Sequence, residues 1–177
     1  GSCPSGIISR VNSDYYSAIS DCVNGGRIVC EVKEDGTVYS MAAGIVGMTE
    51  YSVSVDITKC ENYATIESYN SAGGIAGSAI SAYILECNNY GEIKINKQEN
   101  SYSSYVGGIV AISESSISKC TNNANLYGND YVGGIAGEGA SIYNCTNNGN
   151  IMGKTVGGIV AKIDPNNDYA NCLTQNC

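Results

Sequence analysis

Apolar and polar positions recur along the chain in one short pattern centred on cysteine. An isoleucine lies three residues before the cysteine, an asparagine two after it, a small residue four after it and a large aliphatic residue six after it. The cysteines of this pattern are Cys22, Cys60, Cys87, Cys120, Cys145 and, in a degenerate last copy, Cys172. The asparagines are Asn24, Asn62, Asn89, Asn122 and Asn147, and Thr174 stands in the last copy.

A second element alternates with the first and consists of glycines followed by isoleucine. Its isoleucines are Ile45, Ile75, Ile109, Ile135 and Ile159, at intervals of 30, 34, 26 and 24 residues. Periods between about 20 and 50 residues are typical of solenoids, propellers and repeat arrays. The basic unit is therefore about 24 residues long, with insertions in the earlier copies.

Three short apolar segments in each unit predict the fold. Glycine or asparagine separates the segments, β-branched residues dominate them, and none shows helical periodicity. We predict an all-β, right-handed parallel β-helix with three-strand rungs of about 24 residues, in six or seven rungs. Residues 1–41 are less regular and are expected to form a cap or first rung, and residues 42–177 one continuous solenoid. Equivalent inward residues should then stack into columns of cysteine, isoleucine and asparagine.

The two elements together resemble a known repeat. The segments Gly73–Gly77 and Gly107–Ala111, each followed by Cys-x-Asn-x-small-x-aliphatic, are similar to the GLUG repeat over roughly residues 42–163. That family occurs in bacterial cell-surface and secreted proteins, including adhesin-like proteins and the non-catalytic region of immunoglobulin-A metallopeptidases. The resemblance implies a secreted or cell-surface β-solenoid that is part of a larger bacterial surface protein.

Composition and charge exclude several classes of partner. The formal net charge is −8 with only nine Lys plus Arg, which disfavours nucleic acid and anionic membranes. The apolar runs are too short for a bilayer span, so we expect no membrane insertion within this sequence. Histidine is absent, and with it the commonest general base and metal ligand.

The cysteines suggest a structural role. There are nine, an odd number, and no Cys-x-x-Cys pair occurs. Buried thiols in a column are the leading interpretation, with disulfides between rungs and a metal or cluster as alternatives. Cys3, Cys30 and Cys177 fall outside the predicted column, and a Cys3–Cys30 bridge is a further option. We predict no cofactor.

One segment has the oxygen ligands of a hard-cation loop. Asp164, Asn166 and Asp168 alternate along the chain, as calcium ligands do, but the glycine and later glutamate of an EF-hand are lacking. A solvated turn is the competing interpretation.

Fourteen tyrosines are the other surplus of the chain. Tyr63 and Tyr90 follow their cysteines by three residues. Several tyrosines near the glycine element are candidates to face a ligand, since exposed aromatic rings can stack on sugars or anchor a protein partner. These candidates are Tyr69, Tyr102, Tyr105, Tyr127 and Tyr131. The alternative is that they only cover strand edges and loops. The longest inserts, 50–56 and 94–105, are where a binding loop would grow.

Catalysis finds little support in the sequence. Carboxylates do not recur as a pair at one place in the repeat, and the only arginines are Arg10 and Arg27. We therefore expect a non-enzymatic, adhesin-like interaction module or rigid spacer that presents a face to a host protein or glycan. A carbohydrate-active β-helix enzyme and a passive stalk without ligand are the alternatives.

Overall fold

The computed structural model describes residues 3–30, 41–50, 54–96, 103–163 and 174–177, and all regular structure in them is β-strand. The first turn of the chain contains β1 (Ile8–Val11), β2 (Ser17–Ser20), β3 (Val23–Asn24) and β4 (Arg27–Val29). The second contains β5 (Met41–Ala43), β6 (Val46–Thr49), β7 (Val55–Thr58), β8 (Glu61–Asn62) and β9 (Thr65–Ser68). The third contains β10 (Ser71–Gly73), β11 (Ala76–Ala79), β12 (Ala82–Leu85), β13 (Asn88–Asn89) and β14 (Ile93–Ile95).

The later turns follow the same order with longer strands on one side. The fourth contains β15 (Tyr105–Gly107), β16 (Val110–Ser118), β17 (Thr121–Asn122) and β18 (Leu126–Tyr127). The fifth contains β19 (Tyr131–Gly133), β20 (Ala136–Tyr143), β21 (Thr146–Asn147) and β22 (Ile151–Met152). The last contains β23 (Thr155–Gly157), β24 (Val160–Lys162) and β25 (Thr174–Gln175).

Equivalent strands of successive turns pair in parallel. The strands form four parallel sheets, with orders such as β5-β10-β15-β19-β23 and β3-β8-β13-β17-β21. The largest sheet stacks β1, β6, β11, β16, β20 and β24 in six layers. A chain whose successive turns stack in this way is a parallel β-solenoid, as the repeat predicted.

The turns contain more strands than the sequence suggested. The second and third turns have five short strands each rather than three. The Gly-Gly-Ile segment, predicted as a strand, is the bend between two of them: Gly74 and Ile75 lie between β10 and β11. Glycine lets the backbone turn sharply there, so one apolar segment becomes two strands in different sheets.

The strand register measures the length of each turn. Val46 pairs with Ala76 and Ala136 with Val160, which are offsets of 30 and 24 residues. The first turn is longest, because Ile8 pairs with Val46 at an offset of 38 residues. Strands β1 to β4 lie in the segment 1–41, which the sequence predicted to be a cap or first rung. All four pair with strands of the second turn.

Two apolar clusters fill the interior. The larger cluster holds the isoleucines of the bend and those before the cysteines, together with Cys60, Cys87, Cys120 and Cys145. The smaller holds Ile66, Ile93 and Leu126 with aliphatic residues of β5, β10, β15 and β19. The asparagine and glycine columns meet across the interior between the two clusters. No described helix is long and apolar enough to cross a membrane.

Candidate functional site

The asparagines form a buried ladder along the solenoid. Each side-chain Nδ2 donates to the Oδ1 of the next turn, at 3.3 Å from Asn24 to Asn62 and 2.8 Å from Asn62 to Asn89. The ladder continues through Asn122 to Asn147 at 2.9 and 2.8 Å. Asn62, Asn89 and Asn122 are fully buried. The sequence prediction of an asparagine column therefore corresponds to a continuous chain of hydrogen bonds.

Each inner amide also binds its own backbone. Asn89 Nδ2 donates to the carbonyl of Gly91 at 3.1 Å, and the Gly91 amide donates to Asn89 Oδ1 at 3.3 Å. Both donor hydrogens and both acceptor sites of the amide are thus used. These bonds hold the small residue in the corner that follows the cysteine and compensate for burying a polar group.

A column of glycines packs against the asparagine ladder. A Cβ on Gly74 would lie 2.4 Å from Asn89 Cγ, and one on Gly108 would lie 2.4 Å from Asn122 Cγ. Neither position has room for a side chain. The second glycine of the Gly-Gly element is therefore required by close packing against the amide.

The cysteines form a second ladder. The backbone N–H of Cys60 donates to Cys87 Sγ at 3.4 Å, and the same contact joins Cys87 to Cys120 and Cys120 to Cys145. Each thiol in turn donates to the carbonyl two residues before it, at 3.3 Å for Cys60. Cys22 is the first member, and it is only half-buried.

The last member of this ladder is Cys177, which corrects the sequence alignment. Thr174 pairs with Ile142, so the last copy is Thr174-x-x-Cys177 rather than one centred on Cys172. The Cys145 amide donates to Cys177 Sγ at 3.4 Å. Cys172 itself lies outside the described residues. Sequence alignment missed Cys177 because threonine replaces isoleucine and the chain ends before the asparagine position.

The thiols of this ladder are not bridged. Hydrogen bonding to Cys87, followed by burial, raises the pKa of Cys60, and hydrogen bonding to Cys145 and Cys87, with burial, raises that of Cys120. Two protonated, buried thiols of this kind are unreactive. The Cys3–Cys30 bridge is not formed, since the Cys30 thiol lies 3.4 Å from the Ser68 hydroxyl instead.

The residue before each ladder cysteine has a left-handed backbone. The φ angles in this column are close to +50°, at Asp21, Lys59, Glu86, Lys119, Asn144 and Asn176. The conformation turns the chain sharply just before the cysteine. Sequence inspection missed this column, because four of its members are charged residues that seldom adopt positive φ.

Lys119 and Glu86 of this column pair on the surface at 3.3 Å. Glu138 instead pairs with Lys162 at 2.9 Å. Glu92 is exposed and Glu114 half-buried. Glu86 and Glu92 belong to the third turn, Glu114 to the fourth and Glu138 to the fifth, and the structure forms no group of three metal-ligating side chains within the described residues. The calcium candidates Asp164, Asn166 and Asp168 lie outside the described residues.

The tyrosines predicted to face a ligand are half-buried where they are described. Tyr105 and Tyr131 stack with ring centroids 5.2 Å apart, and Lys162 Nζ lies 5.5 Å from the Tyr105 centroid. Tyr69 packs against the smaller apolar cluster, and Tyr127 is half-buried on β18. Tyr102 lies outside the described residues.

A second stacked tyrosine pair, Tyr63 with Tyr90, is exposed. Tyr63 and Tyr90 lie at one corner of the solenoid and stack with centroids 4.7 Å apart and planes 9° apart. Their side chains are 49% and 42% exposed. The Tyr63 hydroxyl donates to Glu61 Oε2 at 2.9 Å, and this hydrogen bond raises the pKa of Tyr63. Their shared position three residues after the cysteine was the only sequence signal for the pair.

The fold places the chain in the class of parallel β-solenoid proteins. Scans against models of known families, curated proteins and solved structures found no match. The candidate functional site is therefore defined by the geometry of the exposed corner.

Proposed function

We propose that this chain is a non-catalytic, adhesin-like interaction module of a bacterial surface protein, built on a rigid solenoid. The observation that carries the proposal is the exposed Tyr63–Tyr90 pair, held at a corner of a continuous parallel scaffold. Exposed aromatic rings with hydrogen-bonding tips are favoured at sites that bind sugars and proteins.

The scaffold supports a role in presenting such a surface. The asparagine ladder runs through five successive turns, and its inner amides are fully hydrogen-bonded. Four parallel sheets stack the strands of the same successive turns. A ligand contact mounted on this frame would lose little conformational freedom on binding. The same continuity favours the second candidate, a rigid spacer.

The setting of the proposed function comes from the repeat itself. The resemblance of residues 42–163 to GLUG repeats supports a secreted or cell-surface location, a larger parent protein and a bacterial source. A host protein or a glycan is the partner that such a location offers.

A binding screen with an activity control tests the proposal. The 177-residue chain, immobilised, is exposed to a glycan array and a panel of purified extracellular host proteins, and polysaccharide cleavage is assayed in parallel. We expect saturable binding without turnover. Detectable cleavage would replace the proposal with a carbohydrate-active enzyme, and no binding in either screen would leave the rigid spacer.

A further inference from the structure

The exposed tyrosines belong to a longer row of outward side chains, one per turn. Backbone hydrogen bonds place Tyr63, Tyr90, Asn123 and Asn148 in register: for example, the Tyr90 amide donates to the Asn62 carbonyl and the Asn123 amide to the Asn89 carbonyl, both at 2.8 Å. All four side chains are exposed. We name this set the corner row. Along the row, the two aromatic rings are followed by two side-chain amides. Asn148 Nδ2 donates to Asn123 Oδ1 at 2.9 Å.

At one end of the corner row, one ring face of Tyr63 lies next to a glycine position rather than another aromatic ring of the described residues. Tyr90 stacks on one side of Tyr63. The position one turn earlier is Gly25, since the Tyr63 amide donates to the Asn24 carbonyl at 2.8 Å. A Cβ on Gly25 would meet no atom of the described residues within 4 Å. A flat group can therefore enter above Gly25 and stack on the free face of Tyr63.

The surroundings of the row are mostly uncharged, apart from two carboxylates, and are rich in hydrogen-bonding groups. One flanking column contains Glu61, Asn88, Thr121 and Thr146, and the other contains Thr65, Glu92, Asn125 and Asn150. Arg27, which pairs with Thr65, is the cationic side chain in these two columns among the described residues. Its guanidinium Nη2 donates to Glu67 Oε1 at 2.7 Å. Amides and hydroxyls both donate and accept, as sugar hydroxyls require.

We infer that the corner row binds a neutral oligosaccharide, with one sugar ring stacked on the free face of Tyr63 and the following sugars running past the edges of Tyr63 and Tyr90 toward the amides of Asn123 and Asn148. This rests on the proposed interaction function and names its site and ligand class. Glu61 and Glu92, within a chain of net charge −8, disfavour sialylated, uronic or sulfated glycans. Turns repeat about every 4.8 Å, so successive sugars meet successive side chains and affinity should rise with oligosaccharide length.

Two substitutions address the free ring face. Tyr63→Ala removes the platform. Gly25→Tyr occupies the open position with another tyrosine and covers the platform, and the Gly25 backbone is not left-handed, so a side chain is tolerated. Tyr83→Ala is the matched control, since Tyr83 is 59% exposed on β12, away from the corner row. Circular dichroism and thermal melting of each variant establish that it is folded.

Titration calorimetry with the neutral oligosaccharide that gives the strongest signal on an array then measures the dissociation constants. We expect at least a tenfold weaker Kd for Tyr63→Ala and for Gly25→Tyr, and an unchanged Kd for Tyr83→Ala. Unchanged binding in both corner variants, or binding only to anionic glycans or only to proteins, would overturn the inference and leave the interaction function standing. A wild-type chain that binds neither glycans nor proteins would overturn both.

Discussion

At the scale of single residues, the interior depends on amides that are completely hydrogen-bonded. A buried amide without partners is costly, and Asn89 avoids this cost through bonds to Asn62, Asn122 and Gly91. The same asparagine requires a glycine opposite it, because the amide occupies the space of a Cβ at Gly74. The two residue types are therefore coupled in each of the first five turns.

Removing one inner amide should destabilise the solenoid. Asn89→Ala leaves groups of Asn62, Asn122 and Gly91 buried without partners, and we expect the free energy of unfolding to fall by about 3 kcal/mol. Urea denaturation followed by circular dichroism measures the loss. Asn148→Ala is the control, since Asn148 is exposed, and it should cost no more than about 0.5 kcal/mol. Equal losses in the two variants would show that the ladder contributes no special stability.

The glycine column offers a second matched pair. A Cβ on Gly108 would lie 2.2 Å from the carbonyl oxygen of Gly134, whereas one on Gly158, the last glycine of the column, would meet no atom of the described residues within 4 Å. We expect Gly108→Ala to lower the free energy of unfolding by about 2 to 3 kcal/mol and Gly158→Ala to leave it nearly unchanged. Thermal melting of both proteins checks this. A tolerated Gly108→Ala would contradict the packing of glycine on asparagine.

At the scale of elements, the turns before the cysteines carry backbone strain. A left-handed conformation costs an L-residue roughly 1 to 2 kcal/mol, and Lys59, Glu86 and Lys119 adopt it. Stacking of equivalent turns repeats the same geometry in each layer. The strain is thus maintained by the strands on either side, such as β7 and β8 around Lys59.

Glycine should relieve this strain at a turn and weaken a strand. We expect Lys59→Gly to maintain the unfolding free energy or raise it by up to about 1 kcal/mol, because glycine adopts positive φ readily. Lys94→Gly, in the middle of β14, should lower it by about 1 kcal/mol. Both lysines are exposed, so lost packing does not confuse the comparison. Chemical denaturation of the two variants gives the difference, and a larger loss at Lys59 would contradict the turn assignment.

At the scale of the whole molecule, the cysteine ladder runs from a half-buried Cys22 to an exposed Cys177. The four cysteines between them are fully buried. Burial limits the access of a reagent to all four, and the raised pKa values of Cys60 and Cys120 also limit the thiolate available there. Hydrogen bonds with neighbouring cysteines lower the pKa of Cys87 and of Cys145, so those two are protected by burial alone.

Thiol labelling should therefore report the fold. In the native protein at neutral pH we expect rapid alkylation of Cys177, slower alkylation of Cys22 and protection of Cys60, Cys87, Cys120 and Cys145. Under denaturing, non-reducing conditions at least six thiols should react. Peptide mass spectrometry assigns the modified residues. A single reactive thiol after denaturation would mean that the ladder is bridged by disulfides.

The amino-acid sequence by itself determined the stacked solenoid and its inward columns. A repeated Ile-x-x-Cys-x-Asn pattern puts the same side chain at the same place in each turn, and only parallel stacking brings such positions together. The asparagine column and Cys22 to Cys145 could be predicted for this reason.

Tertiary structure alone decided which residues end the columns and which are exposed. Cys177 joins the ladder through strand register, although its local sequence departs from the repeat. Tyr105 and Tyr131 are engaged with Lys162, whereas Tyr63 and Tyr90 project from a corner. A repeat pattern records side chains that share a position, but exposure depends on neighbours from other turns, and insertions of different length bring those neighbours together only in the folded chain.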